Sequence, residues 1–357
     1  MKNHAPIISK LLVPLLLLSV LGTSCAYFNT LYNARRLYAE AEERRERDGS
    51  ERELRDRYSK VVEKCAKVVR DYPDSKWVDD ALFLMGKALL RQGETVKGIR
   101  KFVEVTTNFP ESEYVPPSLY WLGLAYWEKG DYNQAITFTD RFIETYPDHY
   151  LRYEVMFLAG DIKREMQLQE EALSLYALVA EEATDREVIN DATLRTAELF
   201  FAQEEYEKAA AAYEALLRKG ISWEEKYHFS SSLGDCYTRI GQCREALDLF
   251  DRLLEESVTT KETPPLMLGR ASSFLCMDSL ETALDIYTDV TREFPKSIFS
   301  AEAYYRTGVI YHERLDSLSN AQAAFSMVGS EYANSEFANE ALKKSSSLKR
   351  LLELERS

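Results

Sequence analysis

Residues 119–147 read LYWLGLAYWEKGDYNQAITFTDRFIETYP. Leu119, Leu122, Gly123 and Tyr126 recur at the spacing that places them on one face of a helix. Gly130 marks a short turn, Ala135 and Thr139 lie four residues apart on one face of a second helix, and Pro147 stops it. This stretch therefore predicts two amphipathic helices, here called A and B, folded back on each other as an antiparallel hairpin.

The hairpin repeats. Gly86, Gly123, Gly160, Ala197, Gly234, Ala271 and Gly308 follow one another at intervals of 37 residues. Twelve residues beyond each of the first six stands another small residue: Gly98, Ala135, Ala172, Ala209, Ala246 and Ala283. In the last repeat it is Ala321, thirteen residues on, a single insertion. Four residues further along comes an aromatic (Phe102, Tyr176, Tyr213, Phe250, Tyr287 or Phe325), with Thr139 the exception. Self-similarity at a fixed period is the signature of repeat architecture. The small residues predict close approach of the A and B backbones, small facing small, where a larger side chain would overpack the crossing. The aromatic is expected to fill the gap toward the next hairpin.

Leu122-Gly123, Tyr126, Ala135 and Pro147 resemble the tetratricopeptide pattern, with Leu119 in its Trp place and Thr139 in its Phe place. The resemblance implies an all-α fold, a right-handed α-solenoid of antiparallel helix pairs with a 37-residue period. Tyr72-Pro73-Asp74-Ser75, Phe109-Pro110-Glu111-Ser112 and Phe294-Pro295-Lys296-Ser297 are read as joints, where Pro ends helix B and Ser caps the next helix A. Pro116-Pro117 and Pro264-Pro265 suggest a later start for helix A in two repeats. The expected organisation is a leader over 1–24, an atypical N-terminal hairpin over 25–73, seven repeats over 74–334, and a capping helix over 335–357. Solenoids need such ends to cover their terminal core faces.

The leader carries Lys2 and Lys10 before the apolar run Leu11–Leu21, the proportions of a secretory signal. Gly22-Thr23-Ser24-Cys25 follows and resembles a bacterial lipobox, which implies a diacylglycerol on Cys25 and, with Ala26 next, an outer-membrane destination facing the periplasm. Cleavage after Ala26, giving a soluble periplasmic chain, is the other reading. Diacylation supplies the two chains that stable anchoring requires. The chain's formal charge is −14. Without the leader it keeps 43 basic against 59 acidic residues, a formal −16. Such a chain is a poor nucleic-acid binder, since that task needs phosphates neutralised.

No catalytic or metal signature is present: His4, His149, His228 and His312 are scattered, and no HExxH, Walker loop, GxSxG or paired CxxC occurs. The sequence implies neither enzyme, cofactor nor metal. Cys65 reads as core. Among Cys236, Cys243 and Cys276 either buried thiols or one disulfide is open, with Cys243 and Cys276 placed to face each other along one edge.

By the same resemblance, the inner face lined by A helices receives peptides or helices of other envelope proteins. Residues one step from the packing stripe are expected to line it: Phe83, Lys87 and Leu90, then Tyr120, Leu124 and Trp127, then Phe157, Asp161 and Arg164. Aromatic and apolar anchors of this kind suit a protein-binding hot spot. In the fifth repeat the equivalents are Ser231, Asp235 and Thr238, a polar set offering less binding energy. A lipid-anchored solenoid with aromatic-Pro-x-Ser joints resembles the BamD/ComL family of outer-membrane assembly lipoproteins. A coordinator of the Tol-Pal kind is an alternative, and a glycan-capturing lipoprotein of the SusD kind, with Trp127 stacking on sugar, is a third.

Overall fold

The structure is a computed structural model that describes residues 29–47, 49–219, 221–256 and 263–355. The leader and the lipidation candidate Cys25 lie outside the described residues. The chain divides after Val188 into two compact units, taken here one at a time.

The first unit opens with α1 (29–46) and α2 (Glu51–Asp71). Then come α3 (Val78–Arg91) and α4 (Thr95–Asn108), α5 (Val115–Glu128) and α6 (Tyr132–Thr145), and α7 (Arg152–Glu165) and α8 (Gln169–Glu182). Ala34, Tyr38 and Ala41 of α1 share one core with Tyr58, Val61 and Cys65 of α2 and with Ala81, Met85 and Ala88 of α3. The N-terminal hairpin thereby covers a core face of α3 that would otherwise meet water. Arg35 of α1 also pairs with Asp80 of α3, whose carboxylate is almost wholly buried. A buried carboxylate without such a partner would be costly.

α9 (Arg186–Ala202) begins at the division. In the second unit it is followed by α10 (Tyr206–Leu217), α11 (Trp223–Arg239), α12 (Cys243–Glu256), α13 (Thr263–Cys276), α14 (Leu280–Glu293), α15 (Ile298–Glu313), α16 (Leu318–Glu331) and α17 (Ala338–Glu355). Ala341 and Leu348 of α17 close the end of this core against Phe325 and Val328 of α16. Cys243, first residue of α12, is joined by a disulfide to Cys276, last residue of α13, with Cα atoms 5.7 Å apart. Cys236 and Cys65 are buried free thiols, and burial pushes the Cys236 thiol up to about 12. The described residues contain no strand, and among them no helix is long and apolar enough to cross a membrane.

Three details depart from what the sequence led us to expect. The small residue of helix A lies under the aromatic of its own helix B rather than against the small residue there. A Cβ built on Gly86 would stand 2.7 Å from the Phe102 ring, one on Gly160 2.5 Å from Tyr176, and one on Gly308 2.7 Å from Phe325. The backbones do come close: the same construction at Gly98 lies 3.1 Å from the Gly86 carbonyl oxygen. The missing side chain thus serves the ring first and the crossing second.

The double prolines do not delay helix A. α5 and α13 begin eight residues before their small residue, Gly123 or Ala271, as α3 and α7 do before Gly86 and Gly160. Proline in a first turn gives up an N–H that would find no partner there anyway, and its φ is already helical. Of the three joint serines only Ser297 is an N-cap, accepting from the Ser300 N–H at 3.1 Å. Ser75 and Ser112 instead accept from Trp77 and Tyr114, two residues on, and set a turn ahead of the helix.

The turns between A and B are more regular than their residues. Gly93, Gly130, Gln167, Glu204, Gly241 and Asp278, 37 apart, all have positive φ, and Asp316 follows after the insertion. Every turn uses the same left-handed step, but only three provide glycine for it.

Candidate functional site

The sequence singles out the helix-A side chains that leave the packing stripe. In the first unit the nine expected residues sit on α3, α5 and α7, eight of them half-buried and Asp161 buried. Phe83 lies between the rings of Phe102, 5.8 Å away, and Tyr114, 5.1 Å away. Leu90 packs beside Gly98. Tyr120, Leu124 and Trp127 lie against Leu158 and Ile162 of α7, and Phe157 tilts over Tyr176 at 5.8 Å. These residues bridge neighbouring A helices sideways and keep one edge toward solvent.

Lys87 has a cage. Its ammonium stands 4.6 Å from the Tyr38 ring centroid, 5.4 Å from Trp121 and 5.8 Å from Phe83. Desolvation lowers its pKa; Glu42 offsets this only in part, and Arg91 adds to it. Since Tyr38 belongs to α1, the N-terminal hairpin covers this end of the face. Asp161 is 4% exposed and accepts a 2.7 Å hydrogen bond from the Tyr176 hydroxyl, so it stands inside the hairpin rather than on the face. Arg164 remains near it, 3.9 Å away. Asp161 follows Gly160 directly, and the ring over that glycine carries its hydroxyl to the carboxylate.

The second unit holds an open cleft of ≈ 360 Å³ among Phe201, Asp235, Thr238, Arg239, Ser272 and Arg306, all on A helices. The end of α13 at Cys276 also lines it, next to the disulfide. Arg306 donates to the Ser272 hydroxyl and pairs with Glu302 at 2.5 Å. Desolvation raises the Asp235 carboxyl; Arg306 opposes that, Glu302 adds to it and Arg239 opposes it. Asp235 and Thr238 occupy the register of Lys87 and Leu90, and the sequence marked them only as a weak polar stretch. Arg306, two residues before Gly308, had no such mark. Among the described residues no cluster of His, Cys, Asp and Glu is arranged to hold a metal ion.

Residues 82–201 match the YfiO family model, described as an outer membrane lipoprotein. Residues 194–259 and 302–335 match two tetratricopeptide repeat models. No curated protein matches the chain. Among solved structures, a tetratricopeptide repeat protein from Parabacteroides merdae is 17% identical, with 75% of this chain and 98% of that one covered and a TM-score of 0.52. The C-terminal part of a repeat-containing protein from Cytophaga hutchinsonii is 16% identical, with 73% and 99% covered and a TM-score of 0.55. At such identities the likeness shows the fold alone, an α-solenoid of tetratricopeptide type.

Proposed function

We propose that this tetratricopeptide-type chain is a lipid-anchored scaffold of the bacterial cell envelope, held at the periplasmic side of the outer membrane through Cys25. It grips other envelope proteins on its A-helix faces and serves outer-membrane protein assembly. The observation that carries this reading is the match of residues 82–201 to an outer membrane lipoprotein model. That stretch contains all nine of the residues expected on the face of α3, α5 and α7. The Cys243–Cys276 disulfide adds support, because such bonds persist in oxidising compartments.

Two measurements test it together. Labelled palmitate should enter the wild-type chain and not Cys25→Ser, and only the wild type should fractionate with the outer membrane. A photo-crosslinking residue at Trp127 should capture a barrel-assembly protein, whereas one at the exposed Val103 of helix α4 should not. Palmitate in Cys25→Ser, or equal capture from both positions, would refute the proposal. Capture of Tol or Pal components from Trp127 would move the scaffold to envelope coordination.

A further inference from the structure

The first unit has a cavity of ≈ 500 Å³ where α1 ends, α2 begins and α3 turns toward α4. Arg45, Arg52, Arg55 and Arg91 line it, with Glu51 the one carboxylate among the described lining residues and Tyr58 behind them. In a chain of formal charge −14 this is a local reversal of sign.

The four guanidinium groups fall into two pairs. Arg91 reaches Glu42 through two nitrogens, each at 3.1 Å, and Arg45 reaches it at 3.3 Å. The buried Tyr58 donates its hydroxyl to the same carboxylate. Burial by itself would raise Glu42, but the Tyr58 hydrogen bond and the Arg91 and Arg45 charges hold it below the ordinary carboxylate value. This pair of arginines is fixed in place. Arg52 and Arg55 are exposed, stand three residues apart on one side of α2, and make no ion pair with any described residue. Against four positive charges stand Glu51 and Glu42, so the lining keeps an excess of about two.

We propose that this cavity is an anion site for a dianionic phosphate group, borne by a lipid headgroup or by a soluble phosphorylated molecule. The guanidinium fork matches phosphate oxygens two at a time. A phosphomonoester brings both charges that the lining lacks, where one carboxylate brings half. The volume suits a small molecule and leaves room beyond the phosphate itself. Arg45 and Arg91 form the prepared wall, and Arg52 and Arg55 close over the bound group.

The test is calorimetric titration of the unlipidated full chain with inorganic phosphate at constant ionic strength, beside the Arg52→Ala/Arg55→Ala double variant. Saturable binding is expected in the wild type, weakened roughly tenfold or more in the variant. The variant's melting temperature without phosphate should be unchanged, because neither side chain pairs with a described residue. Vesicles of phosphatidylcholine with and without phosphatidic acid separate the sources. Sedimentation with the phosphatidic acid vesicles that needs both arginines identifies a lipid headgroup. Phosphate binding without sedimentation identifies a soluble ligand. No saturable binding of either, binding undiminished in the variant, or preference for a polyglutamate peptide over phosphate would overturn the proposal.

Discussion

Thr139 in the first unit and Phe250 in the second hold the same register position on helix B, and their neighbours differ in the opposite sense. A Cβ built on Gly123 would stand 2.7 Å from the Thr139 methyl and 3.5 Å from Leu158 of the following helix α7. Around Phe250 the following helix α13 offers Gly269 at the place of Leu158, and the ring lies against both Gly234 and Gly269. A small side chain on helix B is thus met by a large one on the next helix A, and a large by none. What the solenoid keeps from hairpin to hairpin is the filled volume, and the residue that fills it is free to move between helices. Protein interiors are packed tightly enough to enforce this.

The second unit has also added a covalent tie, and cutting it is the largest perturbation that would set the units apart. Cys243 and Cys276 are 33 residues apart in sequence. The chain-entropy account of a loop that size gives ~3–4 kcal/mol for the bond. Cys243→Ser/Cys276→Ser should therefore lower the protection of α12 and α13 in hydrogen exchange by about that amount while α3 to α6 stay unchanged. Equal loss in both units would mean that they do not open independently, and the comparison would fail at its first step.

The packing comparison itself is tested by transplanting one solution into the other unit. Thr139→Phe alone should overpack the α6–α7 layer and cost ~1–3 kcal/mol. Leu158→Ala alone should leave a cavity and cost ~2–5 kcal/mol. Together they recreate the balance around Phe250, so the double variant should be better than the sum of the two by at least ~1 kcal/mol in urea unfolding. Additive losses would show that Leu158 does not occupy the space left by Thr139.

These pairs also show how far the sequence could be read. The period of 37, the fourteen small positions and the proline joints were enough for the helices, the hairpins and the stack. The period marks which position must be small; it does not say which neighbour takes the space, since candidates 12, 16 and 35 residues away are all compatible with it. The same limit applies to the candidate sites. Lys87 and Trp127 were placed on the A-helix face by register alone, while Asp161 was drawn inward by a hydroxyl on the ring above it. The arginine cavity was hidden for a different reason. Residues 42–57 alternate acid and base and read as a solvated, self-paired surface. Only the fold reveals that Arg44, Arg45 and Arg57 find carboxylates while Arg52 and Arg55 line the cavity without one among the described residues.

The smallest effect concerns the turns, where backbone and residue have drifted apart. Gly130 and Gln167 occupy successive A–B turns with φ of 75° and 64°. An L-residue in that conformation carries a strain of roughly 1–2 kcal/mol, while glycine adds unfolded-chain entropy worth about 0.4–1 kcal/mol. The first effect exceeds the second, so Gln167→Gly should stabilise the first unit by about 0.5–1 kcal/mol and Gly130→Gln should cost about the same. Contacts do not complicate the second variant, because nothing lies within 4 Å of a Cβ built on Gly130. The swap Gly130→Gln/Gln167→Gly should then unfold at nearly the wild-type urea concentration. If Gln167→Gly destabilises instead, the glutamine side chain holds its turn by an interaction of its own, and the turns differ in more than the residue that enters the left-handed step.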